Sequence, residues 1–352
     1  MKLLIINPGS TSTKIGVYND EVLVMEKTLR HPASELAAYK KISDQYEFRK
    51  QVVLDALAEA AIGVGELDAV VGQGGLVKPL SGGTYRVNEA MLADLRAGVQ
   101  GEHASNLGGL IAHEIGLEIG KPAFVVDPVV VDELDPISRI SGHPWIQRKS
   151  IFHALNQKAI ARQYCKDTGK NYFDVTVIVA HMGGGISIGI HHKGRVIDVN
   201  NALSGEGPFT PERSGALPVG DLAALCYSGK PHEEIKKAIA GKGGITAYFG
   251  TNDVQALVEK AETDGEVKTV IDAMIYQISK DIAALSAAVC GKVDAILLTG
   301  GLAYGSYITD GIARRVGFIA GVHVFPGGDE HLALAQGALR ALRGEEEAKE
   351  YK

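Results

Sequence analysis

Apolar positions along the chain follow two periods. Runs in which every residue or every second residue is apolar read as strands: KLLIIN (2–7), KIGVYN (14–19), VLVMEKTL (22–29), AVVGQG (69–74), AFVVDPVVV (123–131), VTVIVAHM (175–182), SIGIHH (187–192), RVIDVNN (195–201), AILLTG (295–300) and HVFPGG (323–328). Between them, apolar side chains at three- and four-residue spacing predict helices over 50–62, 104–116, 220–227, 267–290 and 330–343. Hairpins followed by alternating strands and helices imply mixed sheets covered by helices, an α/β protein. The closing GEEEAKEYK is polar throughout and is expected to fray.

One pattern occurs twice. NPGSTSTKIGVYNDEVLVM begins at Asn7, and HMGGGISIGIHHKGRVIDV begins at His181. Each is a polar residue, a tight Gly- or Ser-rich turn, an alternating strand with one more glycine, a polar turn and a second strand. The repeat implies two βββαβα modules, one starting at residue 1 and one near residue 175. Two such turns would suit two sides of one polyanion, because successive turn N–H groups form an anion-binding concavity.

The 352 residues suffice for two domains, and 45% are apolar, enough for sizeable cores. The net charge of −6 and the scatter of Lys and Arg argue against nucleic acid as a partner. The three cysteines, Cys165, Cys226 and Cys290, lie far apart and read as reduced core thiols rather than disulfide or zinc ligands. The first strand begins at once, without the apolar run and cleavage site of a signal peptide, and no apolar stretch is long enough to span a bilayer. The expected compartment is the cytoplasm, without a membrane partner.

Several residues carry candidate chemistry. In NPGSTSTK, Ser10, Ser12 and their neighbours offer hydroxyls and Lys14 a positive charge, at a spacing that is not that of a P-loop. Gly183, Gly184 and Gly185 suit a place where a ligand or another backbone comes close, and His181 can donate to a phosphate oxygen. Gly300 and Gly301 end an apolar strand where α/β proteins bind ligands. Asp127 is a helix cap or a Mg²⁺ anchor; Asp132, Glu133 and Asp135 read as a solvated turn. Glu330, read alone, is ordinary helix-end chemistry. Arg213, in a loop stiffened by prolines, is suited to clamp a transferring phosphoryl group. His103 and His153, taken singly, are as readily structural.

Together, NPGSTSTK, AHMGGG, GPFTPERSG and LLTGG, in this order, resemble the acetokinase family of the actin/hexokinase/Hsp70-like ATPase superfamily. GGTYRVNEAM, GEHASNLGG, VVDPVVVDELDPISRISG, GKGGITAYFGTND and PGGDEHLALAQGALR extend the resemblance from residue 2 to about 343. It implies a duplicated RNase-H-like (actin-like ATPase) fold, two domains around a central cleft holding the active site. The first would be residues 1–150 with the segment 329–352 returning to it. The second would be 151–328, carrying nucleotide and dimer contact.

Carried over by position, the resemblance makes Arg213, His153, His103 and Asp127 catalytic. Asn7, Ser10, Ser12, Lys14, His181, Gly183, Gly184, Gly185, Asn252, Gly300 and Gly301 would bind the nucleotide and its phosphates. Phe152 would border the acyl group, and Asn7, Asp127 and Glu330 would organise Mg²⁺ through water. The implied reaction is reversible, direct in-line phosphoryl transfer between ATP/ADP and a short-chain fatty acid such as butyrate. Acetate, propionate or a branched acid is the alternative acceptor, and a non-catalytic actin- or Hsp70-like protein a more distant one. The family also implies a homodimer or higher homo-oligomer. One segment departs from the acetate kinase pattern: where those enzymes carry a carboxylate-binding Arg, this chain has Gln73 and Gly74, with Lys78 and Arg86 the nearest cations.

Overall fold

The opening strand runs form antiparallel pairs. In the computed structural model, which describes residues 1–352, β1 (Lys2–Pro8) pairs antiparallel with β2 (Ser12–Asn19), and β2 with β3 (Val22–Arg30). β4 (Ala69–Gln73) then runs parallel to β1. Beyond β5 (Thr84–Arg86), β6 (Ala123–Val126) runs parallel to β4 and antiparallel to β5. The chain divides into two compact units, Met1–Val131 with Asp329–Lys352, and Asp132–Gly328. Residues 132–150, which the sequence reading assigns to the first domain, thus pack with the second unit.

The second unit repeats the plan. β7 (Thr176–Met182), β8 (Ile186–His192) and β9 (Arg195–Val199) form two antiparallel pairs; β10 (Ala295–Gly300) lies parallel to β7 and β11 (Val322–Pro326) parallel to β10. The order β11-β10-β7-β8-β9 reproduces β6-β4-β1-β2-β3 strand for strand. Even the irregularity recurs: the register slips between Val17 and Tyr18 in one unit and between Ile190 and His191 in the other. The duplicated mixed α/β fold expected from the repeated motif is what the chain adopts.

β7 is buried on both faces, which explains its near-continuous apolar run. On one side, Ile178, Ala180 and Met182 pack with Ile271, Met274, Ile275 and Ile278 of the helix Gly265–Ser286. On the other, Val177 and Val179 meet Ala161, Tyr164 and Cys165 of the helix Ala154–Thr168. In the first unit, the helix Asn106–Glu118 crosses β4 so closely that a Cβ on Gly72 would lie 2.2 Å from the Gly108 carbonyl oxygen.

Several expectations are corrected. The apolar run 123–131 is a strand only to Val126, because Asp127 turns to φ 39° and a proline follows. The tail does not fray. β12 (Lys349–Glu350) pairs with β5, and Tyr351 is buried with its hydroxyl donating to Asp94 at 2.7 Å. Glu133 is no solvated turn residue: its carboxylate accepts from Lys158 Nζ at 2.9 Å and from the Val196 N–H at 2.8 Å, with both ion-pair partners over nine-tenths buried. Lys158 sits on the core face of its helix and so demands a buried anion. Of the cysteines only Cys165 is a core thiol; Cys226 and Cys290 are exposed, the former on a helix that buries none of its side chains. The helices Glu89–Ala97, Ala154–Thr168 and Ser306–Val316 lie outside the five predicted spans; the first and third bury apolar residues at helical spacing (Met91, Leu92, Leu95; Ile308, Ile312, Val316), whereas Asn156, Gln157 and Lys158 occupy part of the buried face of the second. No helix is long and apolar enough to cross a membrane.

Candidate active site

In the first unit the hairpin register brings Asn7 opposite Lys14 at the end of the β1–β2 pair. Opposed residues share a face of the ladder. The turn between them closes with the Gly9 N–H donating to the Ser12 carbonyl at 2.7 Å. Ser10 is exposed, Ser12 half-buried, and Lys14 exposed without an ion-pair partner. Behind the turn lies a residue that the motif reading does not include. Arg49, on the helix Tyr46–Glu59, is 1% exposed and among the largest fully buried side chains. Its Nη1 donates to the carbonyls of Gly9 (2.7 Å) and Ser12 (3.1 Å) and to Thr13 Oγ1 (3.3 Å). Nη2 donates to the Ser10 carbonyl (3.1 Å), and Nε and Nη2 both reach Gln45 Oε1. The guanidinium therefore spends its fork on carbonyls, not on a carboxylate, and leaves a net positive charge behind the turn. The sequence signal was available: Arg49 stands four residues before Val53 and eight before Leu57, in register with the buried stripe.

Asn7 Nδ2 donates to Glu330 Oε2 at 2.8 Å. Glu330 opens the helix Glu330–Leu342, but the capping is done by Asp329, whose Oδ1 accepts the Leu332 N–H at 2.8 Å. Glu330 is thereby left to Asn7. Asp127 is 3% exposed, and its left-handed backbone stores strain of order 1–3 kcal/mol. Two bonds to Gly83 hold it: Oδ1 accepts the Gly83 N–H at 2.6 Å and the Asp127 N–H donates to the Gly83 carbonyl at 3.0 Å. His103 precedes the helix Asn106–Glu118; the Ser105 N–H donates to its Nδ1 at 3.2 Å. A ring nitrogen that accepts carries no hydrogen, so the neutral ring has its proton on Nε2. The cations near Gln73 are otherwise engaged: Lys78 pairs with Asp94 at 3.0 Å, and Arg86 lies 5.6 Å over the Phe124 ring.

In the second unit the bare turn 183–185 is walled by charged and polar groups. A Cβ on Gly185 would lie 2.1 Å from Arg213 Nη1, and one on Gly184 would lie 3.4 Å from Glu212 Oε2. The loop carrying Arg213 is tied to this turn by Thr210 Oγ1, which donates to the Gly184 carbonyl at 2.6 Å. Arg213 Nη1 donates to the Ala202 carbonyl at 2.5 Å, and Asn252 Nδ2 reaches Glu212 Oε1 at 2.6 Å. The rings of His153 and His181 stack 3.9 Å apart, 16° from parallel. Burial depresses both pKa values, His181 to about 4 and His153 well below its usual 6.5, the latter helped by His181 and the Arg213 charge. Both rings are therefore neutral at pH 7. Phe152 is buried beside them.

Gly300 and Gly327 exchange backbone bonds of 2.7 and 2.9 Å. At φ 85° Gly300 packs on β7 so tightly that a Cβ would lie 2.4 Å from the Met182 carbonyl oxygen. Gly301, next along, borders a cavity of about 410 Å³ shared with Val254, Val258, Tyr304 and Tyr307. Of the two glycines, Gly301 lines open space and Gly300 serves strand packing. Asn252 is beside the glycine turn and not in the cavity wall.

The candidates thus form two groups. Asn7, Ser10, Ser12, Lys14, His103, Asp127 and Glu330 belong to the first unit. Phe152, His153, His181, Gly183–Gly185, Arg213, Asn252, Gly300 and Gly301 belong to the second. No group of three or more His, Cys, Asp or Glu side chains forms a metal cage.

Comparisons with known proteins agree with this architecture. Residues 141–319 match the acetokinase family. The chain is 60% identical to butyrate kinase 1 of Clostridium acetobutylicum, covering all of this chain and 99% of that protein. It is 56% identical to a probable butyrate kinase of Clostridium botulinum over 99% of both. Among solved structures, the acetate kinase of Porphyromonas gingivalis superposes with a TM-score of 0.78 at 20% identity, covering 97% of this chain and 99% of that one. A propionate kinase from Francisella tularensis gives 0.76 at 17% identity over 96% and 98%. The fold is the actin-like ATPase fold of the acetate kinases, and the chain belongs to the acetokinase family.

Proposed function

We propose that this protein transfers the γ-phosphoryl group of ATP reversibly to butyrate, giving butanoyl phosphate and ADP. The observation that carries the acceptor is full-length identity of 60% to a butyrate kinase. The geometry agrees with the reaction class. A carboxylic acid with a pKa of ~4–5 is ionised at pH 7, so the nucleophile needs no base. No strong base is called for, and burial holds His153 and His181 neutral, with His153 the donor. The difficulty is instead an anion approaching a polyanion, which positioning and charge neutralisation overcome.

In this reading Arg213 neutralises the equatorial oxygens of the transferring group, with His153 donating from the same side. The glycines 183–185 let phosphate reach the backbone N–H groups, and the cavity beside Gly301 takes the nucleoside. In the first unit, Ser10, Ser12 and Lys14 face phosphate while Arg49 holds the turn. Mg²⁺ needs only one or two protein carboxylates. Asn7, Asp127 and Glu330 fit it: Asp127 is fixed by Gly83, and Glu330 is oriented by Asn7. Asn7, Asp127 and Glu330 would hold Mg²⁺ through water, and the ion would supply neutralisation of the phosphate charge. A homo-oligomer in the cytoplasm is part of the proposal.

The reverse direction gives a direct test. Synthetic butanoyl phosphate, ADP and Mg²⁺ should yield ATP, read by luciferase, at a rate proportional to enzyme. Butanoyl phosphate that only hydrolyses, without ATP, would overturn the assignment.

A further inference from the structure

A buried hydrogen-bond chain behind His153 is used by none of the steps above. It runs through side chains of β8 and the helix Ala154–Thr168. Gln157 Nε2 lies 2.9 Å from the Ser187 carbonyl oxygen and 2.8 Å from Ser187 Oγ. A carbonyl oxygen only accepts, so the amide cannot be turned round: its NH₂ faces Ser187 and its Oε1 faces His191. His191 Nε2, at 3.1 Å, must therefore carry the hydrogen that Oε1 receives. Burial keeps His191 neutral, so its Nδ1 accepts from the Tyr172 hydroxyl at 2.9 Å.

The consequence falls on Ser187. Its Oγ accepts from Gln157 and, at 3.4 Å, from the His153 N–H. Its single hydrogen is left for His153 Nδ1, 2.8 Å away. An Nδ1 that accepts bears no proton, so the neutral ring carries its hydrogen on Nε2. That nitrogen bonds no protein atom. Gln157, Ser187 and His191 are each 0% exposed, so water does not compete for these bonds. The strand even makes room for them: a Cβ on Gly189 would lie 2.6 Å from Gln157 Oε1.

We propose that Ser187, set by the chain Tyr172–His191–Gln157, is a positioning residue that fixes the His153 proton on Nε2, making that ring a neutral hydrogen-bond donor to the transferred phosphoryl group. This rests on the phosphoryl-contacting role given to His153 above. The tautomer, however, is measurable without reference to that role.

Nitrogen-15 NMR of histidine-labelled protein at pH 7 should show His153 as the Nε2–H tautomer with an accepting Nδ1. An Nδ1–H ring or an imidazolium overturns the proposal. In kinetics, Ser187→Ala should lower kcat by about tenfold with both KM values nearly unchanged, short of the ~10²–10³ for loss of a donor itself. The double variant His153→Ala/Ser187→Ala should be no slower than His153→Ala, because the serine acts through the ring. Fully additive losses would make Ser187 a merely structural residue and overturn the proposal. A wild-type rate for His153→Ala would remove the role it rests on, whatever tautomer NMR reports.

Discussion

The two glycine- and hydroxyl-rich turns occupy the same place in the duplicated topology but are held in opposite ways. The turn after β1 has a buried cation behind it: Arg49 grips the carbonyls of Gly9, Ser10 and Ser12. The turn after β7 has a cation against it: Arg213 lies on Gly185, while His181, just before the turn, bonds neutral Asn156 and stacks on His153, which in turn bonds Ser187. The fold dictates where each turn sits and which way its strands run. It leaves open which side the charge comes from. An arginine whose donors are all taken by turn carbonyls and the Gln45 and Thr13 side chains can only shape; an arginine with one bond to the Ala202 carbonyl keeps donors for a ligand.

Substituting each arginine separates these roles. Arg213→Ala should leave the fold intact and cut kcat by ~10²–10³, read by steady-state turnover beside a circular dichroism melt. Unchanged turnover would remove Arg213 from the chemistry. Arg49→Met should do the reverse. It strands turn carbonyls and Gln45, at a cost of about 2–4 kcal/mol, with water recovering part of the loss at the exposed turn. The urea midpoint should fall and ATP affinity weaken. A variant as stable as the parent would show that the guanidinium does not hold the turn.

A smaller effect distinguishes the units by acid. Burial lowers the pKa of His153, His181 and His191 in the second unit, and of His31 (to about 4) and His331 in the first. Unfolded, a histidine titrates near 6.5. Between that value and about 4 the unfolded chain binds more protons, so stability is complete above pH ~6.5 and is lost as pH falls. With three such rings against two, the second unit should lose amide protection first as pH drops from 6.5 to 4.5. Hydrogen exchange resolved by segment reads this, and earlier loss in the first unit would contradict it.

How much of this was legible beforehand follows from what local sequence encodes. The repeat, the strands and both turns are local patterns, and they were readable. The glycines 183–185 and the stiffened loop of Arg213 also stand out in the chain, whereas grouping them with His181 rests on the family resemblance. Arg49 was harder, since its function depends on a turn some forty residues earlier, and only its place in an apolar stripe betrays it. Gln157 and Ser187 left no mark, because a buried hydrogen-bond chain depends on how a helix docks on a strand. Asp127 stands out inside the apolar run 123–131, but its left-handed turn does not, because its partner Gly83 lies far away in sequence. The order of the tail is hidden from local sequence for the same reason: Tyr351 is held by Asp94 and Asn88, not by its neighbours.

The most direct test of phosphoryl transfer to a short-chain acid is hydroxylamine trapping. Protein, Mg²⁺ and ATP are offered acetate, propionate, butyrate, isobutyrate, valerate and isovalerate, and hydroxamate is measured for each. The expected result is a signal for several acids that peaks at butyrate and changes gently with length, since a methylene is worth about 0.8 kcal/mol, or roughly fourfold. A peak at acetate would contradict the butyrate assignment while keeping the reaction. No hydroxamate from any acid, with ATP still bound, would contradict the reaction itself.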